Sequence, residues 1–357
     1  MRFPFLFFLI LASYSLMAQT PRSYAAYKTL SEIVIDGRAD EEDWIDTRWT
    51  EEFTDIEGDK KTKFSTRVKM LWDEDYFYIY ARMEEPHIWA TLKQRDTVIF
   101  YNNDFEVFLD PDGDSQKYME LEMNALNTVW DLMLVEAYRE GGHAVDSWNI
   151  NGLKTGVNIK GSLNNPEDED IFWEVEIAMP WEVLTEASET GEIPVNDFWR
   201  VNFSRVNWDH SLKNNRYFRK QDENGNYLPE YNWVWSPQGV INMHEPEHWG
   251  YVYFSDVPPS EEIVFEIPKD EAIRWKMYEL YRAQKSYFKR DGEWATSVAE
   301  LTGLPIWVEG KRVEFQIEKH SAGYNIIVES PFSGNKYLIK ENGDFMDITK
   351  TKEIVND

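Results

Sequence analysis

Short stretches in which apolar and polar residues alternate recur along the first two-thirds of the chain, and no helical period separates them. The stretches are residues 66–72, 76–83, 104–110, 118–125, 172–179, 199–208 and 249–254. A period of two is typical of half-buried strands. Strands that recur every ~10–25 residues with turns between them favour an antiparallel β-sandwich over a parallel sheet. A further short strand is predicted over 33–37, and a short helix over 40–44.

Two neighbouring stretches place acidic side chains on one face of the predicted sheet. Residues 111–115 read Pro-Asp-Gly-Asp-Ser, a turn sequence, so strands 104–110 and 118–125 are expected to pair antiparallel. Their polar faces then lie side by side. The polar residues of the two strands are Asp104, Glu106, Asp110, Glu120, Glu122 and Asn124. Carboxylates stacked across a strand pair are unfavourable unless a cation, an arginine or the hydroxyls of a ligand compensate.

This polar face is the first candidate for a ligand site. Carboxylates and amides bind hydroxyl groups, and an indole ring can stack on a sugar face. The predicted ligand residues of this face are Glu106, Glu122, Asn124, Asn127 and Trp130. The alternative is a solvated sheet face.

Three further groups of residues are candidates. The aromatic-rich segment 233–249, which contains Trp235 and His244, is predicted to form a second wall of the cleft; the alternative is a loop that packs over the end of the sandwich. Arg205 and Trp208 share a strand, and a buried Arg205 would need a carboxylate such as Glu106 or Glu122, although a structural ion pair is the alternative.

The turn acids Asp110, Asp112 and Asp114 are the metal candidates. They offer oxygen ligands to calcium, but the spacing does not match an EF-hand. Acids that only shape the turn are the alternative.

Composition excludes several classes of protein. The chain has no cysteine, so a disulfide framework and a thiolate metal site are excluded. The formal net charge is −28, which opposes nucleic acids and favours neutral ligands or cations. Residues 1–18 combine Arg2, an apolar run and Ala18, as a signal peptide does. We therefore predict an exported protein, periplasmic or extracellular, with no transmembrane segment in the mature chain.

The sequence changes character after Val257-Pro258-Pro259. Residues 269–302 show apolar residues at helical spacing, and short strands are predicted over 313–318, 323–329 and 336–339. The expected organisation is a β-sandwich over residues 19–257 followed by a small α+β domain over 258–357.

The first domain resembles the family 9 carbohydrate-binding modules over about residues 32–256. The resemblance lies in residues 35–37 with Trp44, residues 68–79, residues 106–110, residues 173–181 and residues 249–252. It implies a jelly-roll-like β-sandwich, sugar binding on a concave face, often structural calcium, and association with polysaccharide breakdown.

The sugar clamp of that family is altered in this chain. The first of its two tryptophans falls near Phe100 and Tyr101, so Tyr101 is a predicted ligand residue, and the second falls near Met243, beside His244. Glu106 and Asn124 match the family, whereas Glu122 stands where an arginine contacts sugar.

The C-terminal residues 280–287 and 292–297 resemble the globular part of pilins and pseudopilins, which implies an envelope protein partner for residues 258–357. The predicted function is non-catalytic binding of a neutral oligo- or polysaccharide. Three alternatives remain open. They are a glycosidase that uses carboxylates among Glu106, Glu120, Glu122 and Glu247, a haem-binding protein with Met243 or His244 as ligand, and an envelope assembly protein.

Overall fold

The computed structural model describes residues 20–349, and the predicted signal peptide lies outside them. The helices are α1 (Glu42–Asp46), α2 (Trp181–Leu184), α3 (Lys269–Asp291) and α4 (Val298–Leu301). The strands that precede α3 are β1 (Ser23–Lys28), β2 (Thr54–Asp55), β3 (Thr66–Trp72), β4 (Tyr76–Glu84), β5 (Asp104–Asp110), β6 (Gln116–Asn124), β7 (Val129–Glu136), β8 (Ala144–Val145), β9 (Lys154–Lys160), β10 (Phe172–Pro180), β11 (Phe198–Asn207), β12 (His210–Lys213), β13 (Arg216–Arg219), β14 (Tyr231–Val234) and β15 (Gly250–Ser255). Those that follow it are β16 (Ile306–Val308), β17 (Lys311–Val313), β18 (Phe315–Lys319), β19 (Tyr324–Glu329), β20 (Lys336–Lys340) and β21 (Phe345–Asp347).

Most of the strands before α3 join into one hydrogen-bonded sheet that curls into a sandwich. Its order is β8-β7-β6-β5-β11-β15-β1-β3-β4-β10-β9, and β14 joins β11 to β2. The apolar faces of β5, β6 and β11 meet those of β3, β4 and β10 in one core, with Val107, Leu121 and Phe203 on one side and Met70, Ile79 and Val175 on the other. The mostly β fold class and the sandwich are therefore as predicted.

The alternating stretches form strands close to their predicted bounds, and β5 pairs antiparallel with β6 as expected. The strand predicted over 33–37 is wrong. The backbone N–H groups of Asp36 and Gly37 donate instead to the Glu176 side chain, at 2.9 and 3.0 Å. The first strand of residues 20–349 is β1, which pairs in parallel with β15 and β3.

The C-terminal residues form a separate small core around α3. Ile273, Met277 and Tyr281 of this helix pack on the sheet β18-β19-β20-β21. The helix is shorter than the predicted 269–302, because Gly292 ends it with a positive φ of 77° and α4 starts anew at Val298. The α+β character is as predicted, whereas the resemblance to pilins is not confirmed.

Helix α3 contacts the sandwich directly. Arg274 donates from Nη1 to the carbonyl oxygen of Gly113, in the β5–β6 turn, and Tyr251 of β15 donates from its hydroxyl to Glu271 at 2.7 Å. Within residues 20–349, no helix has both the length and the apolar character needed to cross a membrane.

Candidate functional site

The acidic face of β5 and β6 forms the floor of a cleft. In the register of the pair, Glu106 lies opposite Glu122 and Phe108 lies opposite Glu120. Trp130 of β7 is the cross-strand neighbour of Glu122 on the other side. Because cross-strand partners project to the same face of a sheet, these side chains converge. The three glutamates are 2–5% exposed, and all of them line the cleft.

The cleft above this floor has a volume of about 340 Å³. The aromatic side chains of Phe100, Trp130 and Tyr138 line it. Met243 and His244, in the loop that follows β14, line it as well. Trp130 Nε1 is buried and has no hydrogen-bond partner among residues 20–349. Apolar walls around a few polar groups are typical of a small-molecule site.

The floor carboxylates are held in an environment that opposes their ionisation. Burial, followed by the charge on Glu106, raises the pKa of Glu120 and of Glu122 well above the ordinary value. Burial raises the pKa of Glu106 to about 7. The pKa of Asp104, which shares a face of β5 with Glu106, is also raised by burial and by Glu106. Strongly shifted carboxyl groups in a cleft indicate a functional site.

The wall formed by Met243 and His244 is anchored on both sides. The His244 Nδ1 lies 3.0 Å from the Tyr118 hydroxyl, and Trp249 Nε1 donates to the Met243 carbonyl oxygen at 2.9 Å. Burial lowers the pKa of His244 to about 4, so its imidazole is neutral at pH 7.

An ion-pair cluster fastens the same loop to the C-terminal domain. Arg139 Nη1 donates to Glu245 at 2.5 Å and to Glu247 at 3.1 Å, and Arg282 of α3 donates to both glutamates. Burial alone would raise the pKa of Glu247, but Arg139 and Arg282 lower it to about 2. The C-terminal helix therefore helps to position a wall of the cleft.

Substitution Arg282→Met is expected to loosen this wall. Arg139 continues to bind both glutamates, so we expect a local opening that is about 1.4 kcal/mol easier rather than unfolding. The amide hydrogens of residues 241–248 should then exchange about tenfold faster. Arg290→Met, at an exposed position of the same helix, is the control. Equal exchange in Arg282→Met and wild-type protein would show that the helix does not hold the loop.

The structure brings some of the predicted ligand residues together and places others elsewhere. Glu106, Glu122, Trp130 and His244 line the cleft, as do Phe100 and Met243 of the altered clamp. The predicted residues that do not line it are Tyr101, Asn124, Asn127, Arg205, Trp208 and Trp235.

The residues outside the cleft have contacts that explain their positions. Asn124 is fully buried and binds backbone groups of the turn that follows β6, and Asn127 is exposed in that turn. Trp235 belongs to the core. Trp208 donates from Nε1 to the Phe100 carbonyl oxygen at 2.8 Å, and Tyr101 is 47% exposed beside Phe100.

Arg205 is buried, as the sequence suggested, but the predicted partners are wrong. Its guanidinium pairs with Glu85 at 3.0 Å and not with Glu106 or Glu122. Ser204, the residue before it, is the cross-strand partner of Glu106. Since side chains alternate, Arg205 points to the opposite face, into the core beside Trp233.

The acids Asp110, Asp112 and Asp114 do come together, with one oxygen of each within 4.8 Å of the others. Both oxygens of Asp110 accept backbone N–H groups, from Gly113 at 3.1 Å and Ser115 at 3.0 Å. The Arg274 guanidinium lies beside Gly113. This cluster faces the C-terminal domain rather than the cleft, and calcium at it stays a prediction.

Several cleft residues were missed by sequence reasoning. Tyr138 comes from a 3-10 helix after β7, and Glu230, Asn232, Ile241 and Asn242 come from the segments around β14. None of them belongs to an alternating strand pattern, so the sequence carries no signal for their side-chain direction.

Comparison with known proteins agrees with this architecture. A family model described as "Carbohydrate family 9 binding domain-like" matches residues 35–226. One similar structure is described as a "putative carbohydrate-binding protein" from Bacteroides uniformis; it is 17% identical, with a TM-score of 0.48 over 66% of this chain and 100% of that chain.

A family 9 carbohydrate-binding module from Caldicellulosiruptor kristjanssonii is also similar, in structures with cellotriose and with glucose. The identities are 15% and 14% and the TM-scores 0.40 and 0.41, each over 68% of this chain and 100% of that chain. No curated protein sequence matches significantly. The family match spans more than half of the chain, which therefore belongs to the carbohydrate family 9 binding domain-like family.

Proposed function

We propose that the chain is a non-catalytic binding protein that holds a neutral saccharide in the cleft over β5, β6 and β7. The observation that carries the proposal is the cleft itself, in which the buried carboxyl groups of Glu106, Glu120 and Glu122 lie between aromatic side chains. Protonated or ionised, carboxyl groups bind sugar hydroxyls, and aromatic rings cover the apolar faces of sugars. Family membership supports the same class of ligand.

The proposal includes the setting in which the protein works. The signal-peptide pattern of residues 1–18 supports export to the periplasm or the outside of the cell. There the protein would bind products or chains of polysaccharide breakdown, and an envelope partner would bind residues 258–357.

The test is a glycan microarray followed by calorimetry with the mature chain. We expect binding to at least one neutral glycan. In Trp130→Ala the affinity should fall about tenfold or more, because an aromatic ring that lines the cleft is lost. Trp307→Ala is the matched control, since Trp307 is 60% exposed and belongs to the C-terminal domain. No binding by a folded sample, or equal binding in both variants, contradicts the proposed site.

A further inference from the structure

Three acidic side chains of the cleft floor are close enough to share one ion. Asp104, Glu106 and Glu122 each place one carboxylate oxygen within 4.8 Å of the others. They are 0%, 5% and 2% exposed. We call these three residues the carboxylate triad. Glu106 and Glu122 line the cleft, so two members of the buried triad can be reached from it.

No basic side chain of residues 20–349 forms an ion pair with the triad. The two arginines of the adjacent strand β11 bind elsewhere: Arg200 lies 3.5 Å from Glu271, and Arg205 lies 3.0 Å from Glu85. Another buried acid of the sandwich shows the usual arrangement, since Glu174 pairs with Arg82 at 2.6 Å. Buried carboxyl groups are normally paired, bind a metal or stay protonated. The triad lacks the first of these solutions.

Oxygen atoms without a hydrogen-bond partner favour a bound metal ion at the triad. Asp104 Oδ1 accepts the Val206 N–H at 3.3 Å, but Asp104 Oδ2 has no hydrogen-bond partner among residues 20–349. Ser204 is fully buried, and its Oγ likewise has no partner in this part of the chain. Ser204 lies across from Glu106 in the register of β5 and β11, so its side chain is on the face of the sheet that carries the triad. Buried polar atoms without a partner require an explanation such as an ion.

We propose that the carboxylate triad binds a divalent cation of the calcium type, and that this cation holds the saccharide by its hydroxyl groups. Calcium takes 6–8 oxygen ligands at about 2.3–2.6 Å, so two of its ligands lie no more than about 5 Å apart, which the triad satisfies. Three carboxylates leave coordination positions open. Because Glu106 and Glu122 line the cleft, the open positions face the space that a ligand fills.

This inference rests on the proposed function and narrows it. A pair of neighbouring sugar hydroxyls supplies two neutral oxygen ligands at the spacing that a large oxygen-preferring cation accepts. The cation also removes the repulsion among the acids, so an acidic floor can hold a neutral ligand. The site is distinct from the Asp110, Asp112 and Asp114 cluster, which lies in the β5–β6 turn.

The first experiment measures cation binding by the chelator-treated mature chain. Calorimetry with Ca²⁺ and with Mg²⁺ counts the sites, and Tb³⁺ reports proximity to indole rings through sensitised emission; Trp130 is adjacent to Glu122. We expect Glu122→Gln and Asp104→Asn each to lose one bound Ca²⁺ and most of the Tb³⁺ signal. Glu223→Gln, at an exposed position of the loop before β14, is the control and should keep both.

Circular dichroism establishes that each variant is folded. Since removal of a buried charge relieves repulsion, Glu122→Gln is expected to remain folded. Folded Glu122→Gln and Asp104→Asn proteins that bind Ca²⁺ with wild-type stoichiometry and affinity overturn the inference.

The second experiment separates the cation from the saccharide. The best glycan of the microarray is titrated with Ca²⁺ and with chelator, and we expect at least a tenfold loss of affinity in chelator. Equal affinity in chelator overturns the cation-mediated contact and leaves the proposed function intact. Loss of one Ca²⁺ in Glu122→Gln without glycan binding in any condition supports the ion site and contradicts the saccharide proposal.

Discussion

Replacing Arg205 by leucine is expected to lower the free energy of unfolding by about 3–5 kcal/mol, since it leaves a buried carboxylate unpaired. Arg205 is fully buried and donates to Glu85 at 3.0 Å and to Thr66 Oγ1 at 3.0 Å. Glu85 is 4% exposed, and Asn207 donates to it at 2.7 Å. The pair links β11 to the end of β4 within the sandwich, so its loss affects the whole fold.

The matched control is Arg48→Leu. Arg48 pairs with Glu262 at the same distance of 3.0 Å, but the two side chains are 72% and 69% exposed. Exposed pairs contribute about 0–1 kcal/mol. Urea unfolding followed by tryptophan fluorescence should therefore separate the variants clearly. Similar losses for Arg205→Leu and Arg48→Leu would show that burial does not determine the strength of these pairs.

The strands that sequence reasoning located are those that have one apolar face. Strands β3 to β6, β10 and β11 alternate because one side packs in the apolar core, while the other side carries polar and aromatic residues that are also largely buried. Strand β1, Ser-Tyr-Ala-Ala-Tyr-Lys, does not alternate clearly, and it pairs in parallel with β15, more than 200 residues away. Pairing between strands so far apart in the chain leaves no pattern in the local sequence. The strand predicted over 33–37 does not form, because the Glu176 side chain of β10, rather than a neighbouring strand, accepts the backbone N–H groups of Asp36 and Gly37.

In the candidate site too, strand alternation predicts some side chains, whereas others depend on contacts between distant segments. Alternation alone places Glu106, Glu120 and Glu122 on one face, and the structure agrees. The alternation of side chains in β5 and β11 could also have excluded the pairing of Arg205 with Glu106. Arg205 lies on the same face as Phe203 of the core, whereas Glu106 lies on the other face. The second wall depends on Arg139 and Arg282, which lie over 100 and about 35 residues from the glutamates that they bind. Contacts between segments so far apart in the sequence can be identified only once the fold is known.

In chelator, Glu106→Gln should be more stable than the wild-type protein above pH 7. The folded protein holds the pKa of Glu106 at about 7, against an ordinary 4.5, with burial as the main cause. Between these values the unfolded chain loses its proton first. The folded state then binds more protons, so stability falls as pH rises from about 4.5 to about 7 and stays reduced above that. A pKa change of this size corresponds to about 3 kcal/mol, which is the gain expected for the variant at pH 8.

Thermal unfolding at pH 5 and pH 8, with chelator and with Ca²⁺, tests this expectation. The wild-type protein should be less stable at pH 8 than at pH 5 in chelator and should recover with Ca²⁺, because the ion replaces the protons of the triad. Glu106→Gln should show a smaller pH effect and a smaller gain from Ca²⁺. Glu223→Gln, at an exposed position of the loop before β14, should behave as wild type. A Glu106→Gln protein that is less stable than wild type at pH 8 in chelator would mean that the ionised carboxylate is stabilised within the protein itself, and the triad would then need no cation.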